Sequence, residues 1–139
     1  MTQVKVVEKV GASAGDVWKR LSDFGGIEVG GIVESFKMEG EGVGAIRTIG
    51  VGGGLVVEKL DRHDSAERVM MYSIINEDSP LPVSGYSATV RIADDGDGSC
   101  TVDFTGTFEP KGVPEEQAVE VIKGIYAGAI QAARDGLGV

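Results

Sequence analysis

The run Ser99-Cys100-Thr101-Val102-Asp103-Phe104-Thr105-Gly106-Thr107-Phe108, followed without pause by the segment from Pro114 to Leu137, decides the fold. In the first part Cys100, Val102, Phe104, Gly106 and Phe108 fall on one face, and Thr101, Asp103, Thr105 and Thr107 on the other. Such alternation marks an antiparallel strand with one face in a core and one in water. Pro110 and Gly112 then break the strand. Pro114 stands where a helix can open, with Glu115 and Glu116 in the first turn, where the exposed N–H groups favour negative charge. No breaker follows until Leu137, which predicts a helix of about 24 residues and about 36 Å. Ala118, Ile122, Ile125, Tyr126, Ala129, Ala133 and Leu137 fall on one stripe about 120° wide. Glu120, Lys123, Gln131 and Arg134 take the far side, and Gly124 and Gly128 lie on its flank as tolerated glycines. A one-faced strand beside a one-striped helix is a helix laid on a sheet.

Upstream the same pattern repeats. Tyr86, Ala88, Val90 and Ile92 oppose Ser87, Thr89 and Arg91 in a strand spanning Ser84 to Ala93, joined to the last one through Asp94-Asp95-Gly96-Asp97-Gly98. Before it come strand signals at Ile32–Glu39, Gly44–Val51, Leu55–Asp61 and Arg68–Asn76. Between them lie the turns Gly40-Glu41-Gly42 and Gly52-Gly53-Gly54, a polar bend at Asp61–Glu67 and the Glu77–Pro82 loop. Val4 to Val10 form a first strand. Ser13, three residues before Asp16, caps a short helix predicted over Ala14 to Asp23, with Val17, Trp18, Leu21 and Phe24 at helical spacing. The order is that of an α+β domain spanning residues 1–139, in which a curled antiparallel sheet wraps a long C-terminal helix around an internal cavity.

Composition removes other classes. Hydrophobic residues make up 42% and charged residues 25%, a globular balance. Glycine, at 22 residues, is about twice its usual share of roughly 7%, clustered between apolar runs where turns belong. The formal charge of −9 repels a phosphate backbone, so nucleic acid is not an expected partner. No apolar run approaches the roughly 20 residues a membrane span needs, and the first residues lack a signal-peptide apolar stretch. The expected compartment is the cytoplasm. With one cysteine, Cys100, and one histidine, His63, neither a disulfide nor a multi-ligand metal motif is expected, and no cofactor is. Asp94, Asp95 and Asp97 begin like a calcium loop, but Cys100 stands where the turn glycine belongs and Gly106 where the last glutamate belongs, so a hairpin turn is predicted. Gly52-Gly53-Gly54 is followed by neither a lysine nor a helix, and so is no phosphate loop.

Several motifs in this order resemble the START-like (SRPBCC) superfamily. Ala14-Gly15-Asp16-Val17-Trp18-Lys19-Arg20-Leu21-Ser22-Asp23-Phe24 is similar to its first helix, and Gly42-Val43-Gly44-Ala45-Ile46-Arg47-Thr48 to its glycine-flanked strand bearing an arginine. Val57-Glu58-Lys59-Leu60-Asp61, Arg68 to Ile74, Gly85 to Val90 and Phe104 to Pro110 continue the match over nearly the whole chain. The resemblance is strongest to the polyketide cyclase/dehydrase-type branch and more distant to plant abscisic acid receptors. It implies a helix-grip fold with a hydrophobic ligand cavity. It also implies that Arg47, Glu58 and Tyr86 belong to a polar network inside that cavity, and that the Gly52–Gly54 turn and the Glu77–Ser84 loop flank its entrance. Val29-Gly30-Gly31 stands where many members carry tryptophan and proline, and the Gly52–Gly54 turn lacks the receptors' proline.

The candidate residues follow. Arg47 and Glu58 carry opposite charge on adjoining strands and either meet in the concave face or form an exposed cross-strand pair. Tyr72 and Tyr86 bring hydroxyls on apolar bodies, suited to a carbonyl or phenol. Phe36, Phe104, Phe108, Ile125 and Tyr126 line or fill the cavity. Glu58, Tyr72 and Tyr86 are the credible general acids or bases. Trp18 is read as first-helix packing, His63 as part of a solvated bend, and Cys100 as a small buried hydrophobe. Gly52, Gly53 and Gly54 are expected to act as a mobile entrance lid opposite Pro80 and Pro82, because a two-residue turn has no need of a third glycine. The expected function is binding of a lipid-like, aromatic or polyketide-like small molecule. The alternative is a polyketide cyclase or dehydratase acting on such a molecule.

Overall fold

The computed structural model describes residues 1–139. Seven strands, β1 (Thr2–Val10), β2 (Val33–Glu39), β3 (Ile46–Val51), β4 (Gly54–Asp64), β5 (Val69–Ile74), β6 (Val83–Asp94) and β7 (Cys100–Pro110), are joined by helices α1 (Ala14–Leu21) and α2 (Glu115–Leu137). The strands form one sheet in the order β1-β7-β6-β5-β4-β3-β2, antiparallel at every pairing. From β2 onward each strand turns back on its predecessor. β1 and β2 lie on opposite edges, so the segment containing α1 carries the chain across the sheet.

Local chemistry sets the ends of the helices. The Ser13 hydroxyl accepts a hydrogen bond from the Asp16 N–H at 3.2 Å, the expected N-cap. Pro114 is the N-cap of α2, with Glu115 and Glu116 in the first turn, and Gly138 closes it in the left-handed conformation at φ 72°. α2 lies along β1 and β7, and α1 packs against α2, β6 and β7. The core lies between these layers, with Val10, Val17, Val102, Phe108, Ala118, Ile122, Tyr126 and Ile130 at its centre.

Two details differ from the sequence reading. The polar bend is shorter than expected, because β4 runs on to Asp64 through an irregularity between Leu60 and Arg62. The buried face of α2 is Ala118, Ile122, Tyr126, Ile130 and Ala133, whereas Ile125 is 37% exposed. Ile125 and Ile130 project about 60° and 80° to opposite sides of Ile122, so a small rotation of the helix exchanges them. Arg134 fixes that rotation by donating to Glu8 Oε1 at 2.7 Å and to the Lys9 carbonyl at 2.8 Å, both on β1. Ile125 therefore stands at the rim of the stripe rather than within the grip.

Candidate functional site

The inner face of the sheet is read through its register. Arg47 on β3 pairs with Glu58 on β4, and Glu58 with Ile74 on β5. The adjoining row runs Leu60, Tyr72, Ala88, Gly106 and Val4. Arg47 and Glu58, 8% and 6% exposed, do meet: the guanidinium Nε donates to Glu58 Oε1 at 2.7 Å. Arg47 Nη1 donates to the Phe24 carbonyl at 3.2 Å, which ties the end of the first helical region to the sheet. The guanidinium also lies 4.0 Å from the centre of the Phe24 ring and 4.9 Å from that of Tyr72, so two aromatic faces stand in for the water it has lost. Of the two sequence readings of this pair, the structure has the buried one.

Every fully buried side-chain nitrogen and oxygen has a hydrogen-bond partner. Glu58 Oε2 and Arg47 Nη2 make no hydrogen bond within the protein, and the Tyr72 ring lies beside that of Tyr86. Burial pushes the Glu58 carboxyl up, against the opposing pull of Arg47. Burial likewise raises Tyr72, Tyr86 and Tyr126, so these phenols stay protonated and can donate at neutral pH.

Tyr72 links this pair to a second polar group. Its ring centre is 6.3 Å from that of Tyr86, whose hydroxyl lies 2.5 Å from the Tyr126 hydroxyl. Tyr126 in turn stacks on Phe104 with ring centres 3.9 Å apart and planes 15° from parallel. Phe104 and Tyr126 thus spend their faces on each other. A recess of about 300 Å³ lies at the β5–β6 end, lined by Ile74, Ile75, Asn76, Glu77, Val83, Ser84, Gly85 and Tyr86. Ile74 connects it to the Glu58 row and Tyr86 to the tyrosines. A depression of about 380 Å³ lies elsewhere, between α1 and the end of α2. It is lined by Asp16, Lys19, Arg20, Asp23, Gly26 and Leu137 and holds none of the candidate residues.

At the rim, the expected glycine lid is a tight turn. Val51 pairs with Gly54, and only Gly52 and Gly53 lie between, at φ 57° and 78°. Two successive positive φ angles match the twist of a two-residue hairpin, and glycine meets that demand without strain. The third glycine has another purpose: a Cβ on Gly54 would lie 3.1 to 3.2 Å from the ring atoms of Pro80. Gly54 and Pro80 thus bring the Gly52–Gly54 turn and the Glu77–Ser84 loop into contact. The Gly53 N–H is held by Glu34 Oε1 at 2.8 Å, a further restraint on the turn. Lys111 reaches across to the carbonyls of Glu77 and Ser79 at 3.0 and 2.9 Å, and its own N–H donates to the Pro82 carbonyl at 3.0 Å.

Other expected residues find places of their own. Trp18 is buried and its Nε1 donates to Ser65 at 3.4 Å, which is packing. His63 sits on β4 rather than in a free bend. Its ring is 5.1 Å from that of Trp18, and its Nε2 donates to the Ser22 carbonyl at 3.2 Å. Cys100 is fully buried, and burial raises its thiol. Phe36 is half-buried on the edge strand. Asp95 and Asp97 spend their oxygens on Ser99, Thr101 and Lys9, as a hairpin should. The sequence reading missed Phe24, Gly106 and Asn76. Asn76 accepts from the Val57 N–H at 2.9 Å and donates to the Leu55 carbonyl at 2.8 Å, securing the end of β5 to β4. Gly106 had a visible signal, since a lone glycine in an apolar strand row marks a close approach.

A curled seven-stranded sheet gripping one long helix, with a buried polar group beside a recess, defines the helix-grip class. Residues 1–137 match the family model described as polyketide cyclase / dehydrase and lipid transport, and the chain belongs to that family. Among solved structures, XoxI from Bacillus cereus is 25% identical with a TM-score of 0.84, covering 98% of this chain and 95% of that one. Norcoclaurine synthase from Thalictrum flavum, solved with dopamine and hydroxybenzaldehyde, is 21% identical with a TM-score of 0.72, covering 98% and 85%. Ara h 8.0201 is 18% identical with a TM-score of 0.79, covering 96% and 95%. The last two likenesses concern the fold. No curated protein sequence matches the chain. No helix is long and apolar enough to cross a membrane.

Proposed function

We propose that this protein binds a small, largely apolar, uncharged molecule carrying a carbonyl or phenolic oxygen. The molecule enters by the recess at the β5–β6 end and meets Tyr72, Tyr86 and the Arg47–Glu58 pair. The observation that carries this reading is the buried ion pair with spare hydrogen-bonding atoms. Arg47 and Glu58 neutralise each other, so a charged ligand would lose its hydration without gaining a counter-ion. An uncharged ligand can accept from Arg47 Nη2 or Tyr72 and donate to Glu58 Oε2. The family description, which names lipid transport, supports an apolar cargo. The volume of about 300 Å³ lies at the small end of ligand sites.

Titration with para-ethylphenol followed by amide NMR tests this. Shifts are expected at residues around the recess, weakened in Arg47→Met/Glu58→Leu, and benzoate is expected to leave them unmoved. Absence of any shift with the phenol, or equal response to benzoate, overturns the reading. Native mass spectrometry of protein from its own host then names the cargo by mass.

A second reading, a cyclase or dehydratase, rests on the same carboxylate. Burial raises the Glu58 carboxyl, and Glu58 lies close enough to Tyr72 for its charge to act on that phenol. Conversion of a bound polyketide-like ketone that stops in Glu58→Gln while binding persists would establish it.

A further inference from the structure

The inner row of the sheet narrows abruptly. Leu60 and Tyr72 are large, and then come Ala88 and Gly106 side by side on β6 and β7. Phe104 and Phe108 stand on either side of Gly106 along β7, and Tyr86 rises from β6. Two small residues walled by aromatic rings make a slot shaped for one ring. The Tyr86 hydroxyl at its edge gives that ring an oxygen partner. Tyr126 of α2 occupies it completely: the residue is fully buried, its ring lies on Phe104, and its hydroxyl meets Tyr86. A Cβ on Gly106 would lie only 2.0 Å from the Tyr126 oxygen and 3.1 Å from Cζ, so the slot exists because position 106 lacks a side chain. Tyr86 also lines the recess, which makes it the wall shared by slot and ligand site.

We infer that Tyr126 is a built-in occupant that sets the depth of the ligand site, with Gly106 as its seat. The inference rests on the proposed binding function and sharpens it. A ligand with a single ring fills the recess and meets the polar group. The second ring of a longer ligand finds Tyr126 in its path and stays at the open mouth, where it gains little from burial. Tyr126 is in this sense a specificity-determining residue that need not touch the polar head of the ligand at all. The phenol in the slot is chemically what the site would otherwise bind.

Calorimetric titration of the whole chain with two probes, para-ethylphenol and para-phenylphenol, tests this. In the unaltered protein the two should bind within about threefold of each other. Tyr126→Leu, which keeps an apolar side chain on the helix, should tighten para-phenylphenol by about tenfold, roughly the value of burying much of one ring, and leave para-ethylphenol almost unchanged. Tyr126→Phe fills the slot while freeing the Tyr86 hydroxyl, so both probes should shift together and their affinity ratio should stay that of the parent. Thermal melts show that each variant is folded. Gly106→Ala, whose methyl takes the seat of the phenol, should lower the melting temperature and disturb the Tyr126 ring resonances without opening the slot. Equal tightening of both probes in Tyr126→Leu, or a second molecule bound per chain, overturns the inference, since an isolated cavity would do the same. So does a parent protein that already favours para-phenylphenol tenfold. Those results leave the binding function standing, whereas failure of the parent to bind either probe removes both.

Discussion

The sheet has two halves that differ in how they are closed. Under α2, alternate residues of β7 are buried from Cys100 to Phe108, and β6 follows with Tyr86, Ala88, Val90 and Ile92. At the opposite edge no residue of β2 is buried, and β3 and β4 commit Arg47 and Glu58 to their inner face. The helix accounts for the difference. Where it lies, side chains from two layers interlock, and the Tyr86 and Tyr126 hydroxyls satisfy each other. Beyond it the Phe24 and Tyr72 rings lie against the Arg47 guanidinium, which pairs with Glu58. The covered half is closed by packing between two layers, and the uncovered half holds a buried ion pair.

The largest effect expected from this division concerns packing. Phe108→Ala should cost about 3–5 kcal/mol, because a fully buried ring leaves a cavity that two rigid layers cannot close. Phe36→Ala on the half-buried edge strand should cost less than about 1.5 kcal/mol. Urea unfolding measures both, and similar losses would mean that the halves are packed alike.

The next effect concerns the ion pair. Arg47→Met should cost about 3 kcal/mol, since it strands the Glu58 carboxylate in the core, and Arg47→Met/Glu58→Leu should return to within about 1 kcal/mol of the parent. The pH dependence has a definite sign. A carboxyl whose folded pKa is raised contributes stability below its unfolded pKa and loses that contribution as pH rises through the folded value. Without Arg47 nothing opposes the rise that burial causes in Glu58. The Arg47→Met defect should therefore be deeper at about pH 8 than at about pH 5. A pH-independent defect would place the cost in lost packing rather than charge.

The same division explains what the sequence made legible. Strand alternation in β6 and β7 and the long α2 could be read directly, because a face that is wholly buried imposes a strict period. The succession of strands came from the order of motifs, not from any one of them, whereas burial of the Arg47–Glu58 pair was left open and is seen only in the structure. The rotation of α2 was not legible: Ile125 and Ile130 are equally apolar, and the choice between them rests on Arg134 reaching Glu8 and Lys9, over 120 residues away. The tyrosine pair was hidden for the same reason, since Tyr86 and Tyr126 meet only once α2 is docked on Gly106. The packing of Gly54, the third glycine of the Gly52–Gly54 turn, was not legible because its neighbour, Pro80, belongs to another loop.

That turn supplies a smaller test. Gly53→Ala places a side chain at φ 78° and should cost about 1–2 kcal/mol. The Gly53 N–H is held by Glu34, so the penalty should appear in stability, with the uptake and release rates of para-ethylphenol unchanged within about twofold. Slower rates at equal affinity would restore the lid.

The smallest effect tests whether the division of the sheet extends to its hairpin ends. Asp97, in the turn of the covered half, accepts from the Ser99 N–H at 3.1 Å and from the Ser99 hydroxyl, with Lys9 Nζ at 3.3 Å. These bonds, the Ser99 hydroxyl foremost, hold its carboxyl down at about 2. Asp64, at the end of β4 before the turn to β5, is held below the usual range by the Glu67 N–H and by Arg62. A carboxyl with a lowered folded pKa contributes stability above its unfolded pKa and loses it as pH falls through the folded value. For Asp97 that window runs from about pH 4 down to about pH 2. Asp97→Asn should therefore be slightly less stable than the parent at neutral pH and converge with it as pH falls across the window. Asp64→Asn should show the same sign, although its hairpin lies beyond α2. Both groups are solvent-exposed, so water and salt weaken both effects alike, and helix cover has no bearing on either. Thermal melts of the three proteins across that pH range measure the convergence. A gap that persists to pH 2 would show that the Asp97 bonds act through turn geometry alone, independent of its charge.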